Sequence, residues 1–124
     1  MVDEQNEQVL AELSQREPIF HRREFGTSRA ALEAMTDPAF HDIGASGRIY
    51  SRLEVIETCL ARYAAGPEPH DWPCSDFTLR CIGPNLFLLN YTLREPDRVT
   101  RRSTIWRREA HGWMIVFHQG TVVE

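Results

Sequence analysis

The last third of the chain, from Leu86 to Val123, reads as three apolar strands joined by two turns. Leu86–Arg94 leads through Glu95-Pro96-Asp97 to Val99–Arg108, and Ala110-His111-Gly112 leads on to Trp113–Val123. Successive side chains of a strand point to opposite faces. In the final strand both sets are apolar: Trp113, Ile115 and Phe117 on one side, Met114, Val116 and Val122 on the other. A strand of that kind needs cover on both faces. The N-terminal helices supply one cover, and the other is expected to be a second copy, a homodimer formed through the outer sheet face. Curvature of such a meander over helices leaves an interior pocket.

With 124 residues the chain is expected to form one domain, 1–124, burying roughly two thirds of the surface it exposes when unfolded. Apolar residues at 42% and charged residues at 26% are near globular averages, which argues against disorder and against a membrane protein. The longest apolar run, Trp113–Phe117, is far short of the roughly 20 residues that span a bilayer. The start Met1-Val2-Asp3-Glu4 is acidic, unlike a secretory signal. Cys59, Cys74 and Cys81 form neither an even set nor a metal-ligand spacing, which suits reduced thiols in a cytoplasmic protein. A net charge of −4 gives no global attraction to nucleic acid.

Apolar residues at Val9, Leu10, Leu13, Ile19 and Phe20 recur about once per helical turn, predicting a helix from Asp3 to about Glu24 that kinks or restarts at Pro18 and ends at Gly26. Thr27 and Ser28 cap a short second helix that stops before Asp37-Pro38. Phe40–Ile43 and Arg48–Tyr50 flank the glycine-bounded loop Gly44-Ala45-Ser46-Gly47 as a hairpin. Ser51-Arg52-Leu53-Glu54 is a capping box, opening a helix with Leu53, Ile56, Leu60 and Tyr63 on its apolar stripe and Gly66-Pro67 as its stop. A strand over Ser75–Ile82 and the turn Gly83-Pro84-Asn85 then lead into the meander. The order of elements defines an α+β domain with helices on one face of the sheet.

The segments FHDIGASGRIYSRLEVI and RRSTIWRREAHGWMIVFHQGT, placed in this order, resemble the nuclear transport factor 2-like superfamily, nearest its SnoaL-like and calmodulin-kinase association-domain-like members. The resemblance spans nearly the whole chain. It implies a cone-shaped curved antiparallel sheet of about six strands wrapped around three helices, an interior pocket and a homodimer. Many relatives carry a His-x-Ser pair on the last strand, where Gln119 and Thr121 stand here. These neutral groups orient a ligand better than they move protons.

Strand alternation nominates the residues facing the pocket. Phe87, Leu89, Tyr91 and Leu93 form the inward set of their strand; Arg102, Thr104 and Trp106 share a face of the next; Trp113, Ile115, Phe117, Gln119 and Thr121 share a face of the last. The candidate pocket residues are therefore Asp42, Tyr50, Tyr91, Arg102, Trp106, His118, Gln119 and Thr121. Asp42 sits between apolar neighbours, where burial favours a general base. Tyr91 offers a hydroxyl to a ligand carbonyl, and Arg102 with Trp106 suits an anionic group beneath an indole. The histidines lack paired spacing, so no metal and no other cofactor is expected. No nucleophile elbow or phosphate-binding loop is present. The favoured function is binding of a small apolar or weakly polar molecule. The alternative is a lyase or isomerase of the polyketide-cyclase or ketosteroid-isomerase kind, with Asp42 as base and Tyr91 or His118 donating to a developing oxyanion. A dimerisation module with a filled interior is a third possibility.

Overall fold

In the computed structural model, which describes residues 4–124, the chain opens with helix α1 (Glu4–Ser14), whose inward residues Val9 and Leu13 are fully buried. The expected start at Asp3 lies outside the described residues. Instead of continuing to Glu24, the helix ends four residues ahead of Pro18, and two single 3₁₀ turns, Ile19–His21 and Arg23–Phe25, follow. Proline disfavours helical geometry in the residue before it and cannot donate a backbone bond. Gly26, at φ 127°, turns the chain where a side chain is disfavoured, and the Ser28 hydroxyl accepts from the amide of Ala31 to start α2 (Arg29–Ala34).

Strand β1 (Thr36–Ile43) begins earlier than the sequence pattern suggests, running through Asp37-Pro38. Its pairing shifts between Thr36 and His41, and Pro38 occupies that irregular stretch, where a missing amide proton breaks no ladder bond. After the hairpin to β2 (Ile49–Ser51), Ser51 and Glu54 form the reciprocal capping box of α3 (Arg52–Ala64). The buried side of α3 is Val55, Ile56 and Cys59; Leu53, expected on the apolar stripe, is 61% exposed. The remaining chain is β3 (Cys74–Gly83), β4 (Leu86–Arg94), β5 (Val99–Glu109) and β6 (Gly112–Val122).

These strands make one curved, unclosed six-stranded sheet in the order β2-β1-β6-β5-β4-β3. All neighbours are antiparallel except β1 and β6, which run parallel, so the sheet is mixed rather than wholly antiparallel. The reason lies at the exit of α2: the Ile115 amide donates to the Met35 carbonyl at 2.7 Å, tying the starts of β1 and β6 to the same end of the sheet. The helices cover one face, where Val9, Leu13, Leu32, Val55 and Ile56 meet Phe87, Leu89, Leu93, Trp106 and Ile115 in a single buried cluster. No described helix is long and apolar enough to cross a membrane.

One irregularity reassigns the last strand. The β5–β6 register steps from Ile105↔Phe117 to Trp106↔Ile115, leaving Val116 as an extra residue. A bulge of this kind reverses the alternation beyond it. Trp113 and Ile115 face inward as predicted, but from there His118 and Gly120 are the inward residues, and Phe117, Gln119 and Thr121 turn to the outer face.

Candidate functional site

Across the inner face the register aligns Leu89, Thr104, His118, Asp42 and Tyr50 in one row, running from β4 to β2. The next row holds Tyr91, Arg102 and Gly120. Over these rows α3 presents Val55, Thr58, Cys59 and Arg62, and the segment 17–21 arches across from α1. Thr58 and Cys59 are small, so helix and sheet do not close on one another. A cavity of about 200 Å³ remains between them.

His118 lies on the sheet side of that cavity. Its Nδ1 lies 2.7 Å from Asp42 Oδ1, a bond made possible because the parallel β1–β6 pairing sets the two residues side by side. The carboxylate oxygen accepts, so Nδ1 carries the proton of this bond. His118 is buried, while Asp42 and Tyr50 are partly exposed at the rim. Beside them Thr104 is fully buried, and its hydroxyl has no hydrogen-bond partner among the described residues.

Arg102 lies flat over Gly120: a methyl group built there would stand 3.2–3.4 Å from Nε, Cζ and Cδ of the guanidinium arm. Its Nε donates to Thr100 Oγ1 at 3.0 Å and Nη2 reaches Glu95 at 3.4 Å. Arg62, at the opposite wall, is paired to Glu68 at 2.8 Å and donates to the Phe20 carbonyl at 2.6 Å. Both arginines thus carry their own counter-charges.

The end of the cavity nearest α1 is built around Glu17, which is 1% exposed. Its carboxyl receives the Tyr91 hydroxyl at 2.9 Å, the Trp106 indole N–H at 3.0 Å and the Ile19 amide at 3.2 Å. Burial, then the neighbouring Glu17 charge, pushes the Tyr91 phenol well above its usual pKa. His21 forms another wall, stacked on Trp72 with ring centres 3.8 Å apart and bonded through Nδ1 to Glu68 at 2.9 Å. Burial, reinforced by the Arg62 charge, brings its pKa down to about 4 despite the opposing pull of Glu68. The Cys59 thiol, also on the wall, is pushed up by burial.

Of the candidates named from sequence, the structure brings Asp42, Tyr50, Tyr91, Arg102 and His118 to one cavity. Trp106 stands behind it, fully buried, and reaches the site through Glu17. Gln119 and Thr121 do not join them. The bulge at Val116 turns both to the exposed outer face, in rows with Ser103 and Arg101, which corrects their placement at the pocket. Glu17, His21, Thr58, Cys59 and Arg62 are cavity residues that strand alternation could not nominate, since none lies on a strand. An acid followed by Pro-Ile-Phe was the available signal for Glu17.

No protein-family model matches the chain, and no curated protein matches it. Comparison with solved structures identifies the fold. A nuclear transport factor 2-like protein from Cytophaga hutchinsonii superposes with a TM-score of 0.69 at 16% identity, over 94% of this chain and 98% of that one. A putative calcium/calmodulin-dependent kinase II association domain from Exiguobacterium sibiricum gives 0.63 at 18% identity, over 100% and 97%. The hub homology domain of the same kinase from Chlamydomonas reinhardtii gives 0.65 at 14%, over 94% and 98%. The chain therefore has the nuclear transport factor 2-like fold, as its two quoted segments suggest.

Proposed function

We propose that the chain is a small-molecule-binding domain, its ligand seated in the cavity above the His118–Asp42 row, working as a cytoplasmic homodimer. The observation that carries this reading is a hollow of about 200 Å³ in which a histidine–aspartate pair and two tyrosines converge among apolar walls. Ligand sites are mostly apolar concavities with a few placed polar groups. The outer face supports the dimer: Leu88, Ile105 and Phe117 form a half-buried apolar row across β4, β5 and β6. Hub and association domains among the structural neighbours fit the same expectation. The ligand test is a titration of isotope-labelled protein with single-ring apolar and weakly polar compounds. Resonance shifts are expected at Asp42, Tyr50, Tyr91 and His118; compounds that leave all four unmoved sink the reading. Sedimentation at micromolar concentration checks the dimer, and a monomer rejects it.

One observation favours a second, enzymatic reading: Asp42 is committed to Nδ1 of His118. The base is then Nε2 of His118, with Asp42 orienting it, rather than Asp42 itself. Nε2 takes a proton from a carbon beside a carbonyl; the C–H electron pair becomes the carbon–carbon π bond of an enolate, and the carbonyl π pair moves onto the oxygen. Returning that proton elsewhere gives isomerisation; loss of a β-leaving group gives elimination. Exchange of the α-protons of cyclohexanone in deuterated water, measured by NMR, tests the step. His118→Ala abolishing an exchange above buffer supports it, and a rate equal to buffer with the unaltered protein removes it.

A further inference from the structure

Tyr91 carries one hydroxyl proton, and the structure says where it points. The Glu17 carboxyl is surrounded by groups that give protons: an indole N–H and a backbone N–H only donate, at 3.0 and 3.2 Å, and the Tyr91 hydroxyl stands at 2.9 Å as the third. The two fixed N–H donors take one oxygen each and mark the carboxyl as receiver, and the Tyr91 hydroxyl donates to Oε1. The ring cannot swing away, because it is stacked on Phe77 with centres 5.2 Å apart and is held in register opposite Arg102. Burial keeps the phenol protonated. What Tyr91 has left for the cavity is lone pairs. Across the floor, Nδ1 of His118 is given to Asp42.

We infer that Glu17 and Tyr91 form a hydrogen-bond-accepting subsite, and that the ligand this cavity selects carries a hydroxyl or N–H group there. The inference rests on the proposed reading of the cavity as a ligand site, and gives it a chemical class. A ligand offering only a carbonyl or ether oxygen sets lone pair against lone pair at Tyr91, whereas an alcohol or amide N–H completes the bond. The same geometry removes Tyr91 from the role of oxyanion donor. Glu17 is a positioning residue, acting through the hydroxyl it orients.

The test uses two neutral probes of one shape, so that the charges of Arg62 and Arg102 bear equally on both. Cyclohexanol and cyclohexanone are titrated into the full chain, with shifts followed at the cavity residues. Cyclohexanol is expected to bind three- to tenfold more tightly, roughly the worth of one hydrogen bond. Tyr91→Phe, which keeps the stacked ring, is expected to bring the ratio to one. Glu17→Met, close in length, removes the receiver of the Tyr91 proton, frees the hydroxyl to donate toward the cavity, and is expected to lower the ratio or invert it. Circular dichroism verifies that each variant is folded, and the unaltered chain alone already decides the central point. Cyclohexanone binding at least as well as cyclohexanol, with shifts at the cavity, overturns the inference and leaves the ligand site standing. A cyclohexanol preference that survives both substitutions overturns it too. Neither probe moving any cavity residue defeats the ligand-site reading and the inference together.

Discussion

Between the row Phe87–Trp106–Ile115–Thr36 and the row Leu89–Thr104–His118–Asp42–Tyr50, the inner face of the sheet changes from packed to hollow. Phe87, Trp106 and Ile115 fill the first row with bulk at no more than 4% exposure, and Trp106 has none. The second replaces that bulk with Thr104, His118 and Asp42, and the helix above answers with Thr58 and Cys59. Glu17 stands at the boundary, one oxygen taking the Trp106 indole and the other taking Tyr91. The contrast shows how one continuous sheet serves two purposes: volume matched across the interface stabilises, and volume withheld leaves a site.

The comparison breaks if the two ends respond alike to truncation. Trp106→Ala removes a fully buried indole and one of Glu17's three donors, and is expected to cost about 3 to 5 kcal/mol. His118→Ala borders space that already exists and leaves Asp42 at a partly exposed rim; about 1 kcal/mol is expected. Urea unfolding of the two variants measures the difference. Equal losses would mean that the space around His118 is packed in solution.

The wall at His21 sharpens the contrast through pH. Its pKa is lowered in the fold to about 4 from 6.5, so between those values the unfolded chain takes up a proton that the folded one refuses. Stability from this residue is complete above about pH 6.5 and falls as the pH drops toward 4, by about 3 kcal/mol at most. His21→Phe keeps a ring against Trp72 and has no proton to bind. Its denaturation midpoint is expected to decline less between pH 6.5 and 4 than that of the unaltered chain. Parallel declines would assign the acid sensitivity to other groups.

What local pattern governs was the more legible part of the sequence. Phe87, Leu89, Tyr91 and Leu93 alternate as a half-buried strand must, and all four are buried. Ser51 and Glu54 announced α3 by a local rule, and the capping box is present. The site followed from a non-local event. A single extra residue at Val116 exchanges the faces of everything after it, so Gln119 and Thr121 turn outward and His118 turns in. Nothing in Val-Phe-His-Gln marks where a bulge falls. Likewise Asp42 meets His118 only because β1 and β6 pair in parallel, across 76 residues of chain. Glu17 looked like one more acid on an amphipathic helix, and its burial depends on the chain leaving that helix ahead of Pro18.

The finest discrimination between the two ends comes from their threonines. Thr36, in the packed row, donates to the Leu32 carbonyl at 2.7 Å, and Thr100, toward the strand's start, donates to Glu95 at 3.2 Å. Thr104, in the hollow row, is just as buried and has no partner among the described residues. An unmet buried hydroxyl opposes folding, and valine has nearly the same shape without it. Thr104→Val is therefore expected to stabilise the protein by about 1 kcal/mol, while Thr36→Val loses about that much along with its bond. Thermal or urea unfolding of the pair decides the matter. A loss on Thr104→Val would mean that its hydroxyl is met in solution by a water or a ligand reaching down beside His118, extending the hollow one residue deeper into the sheet.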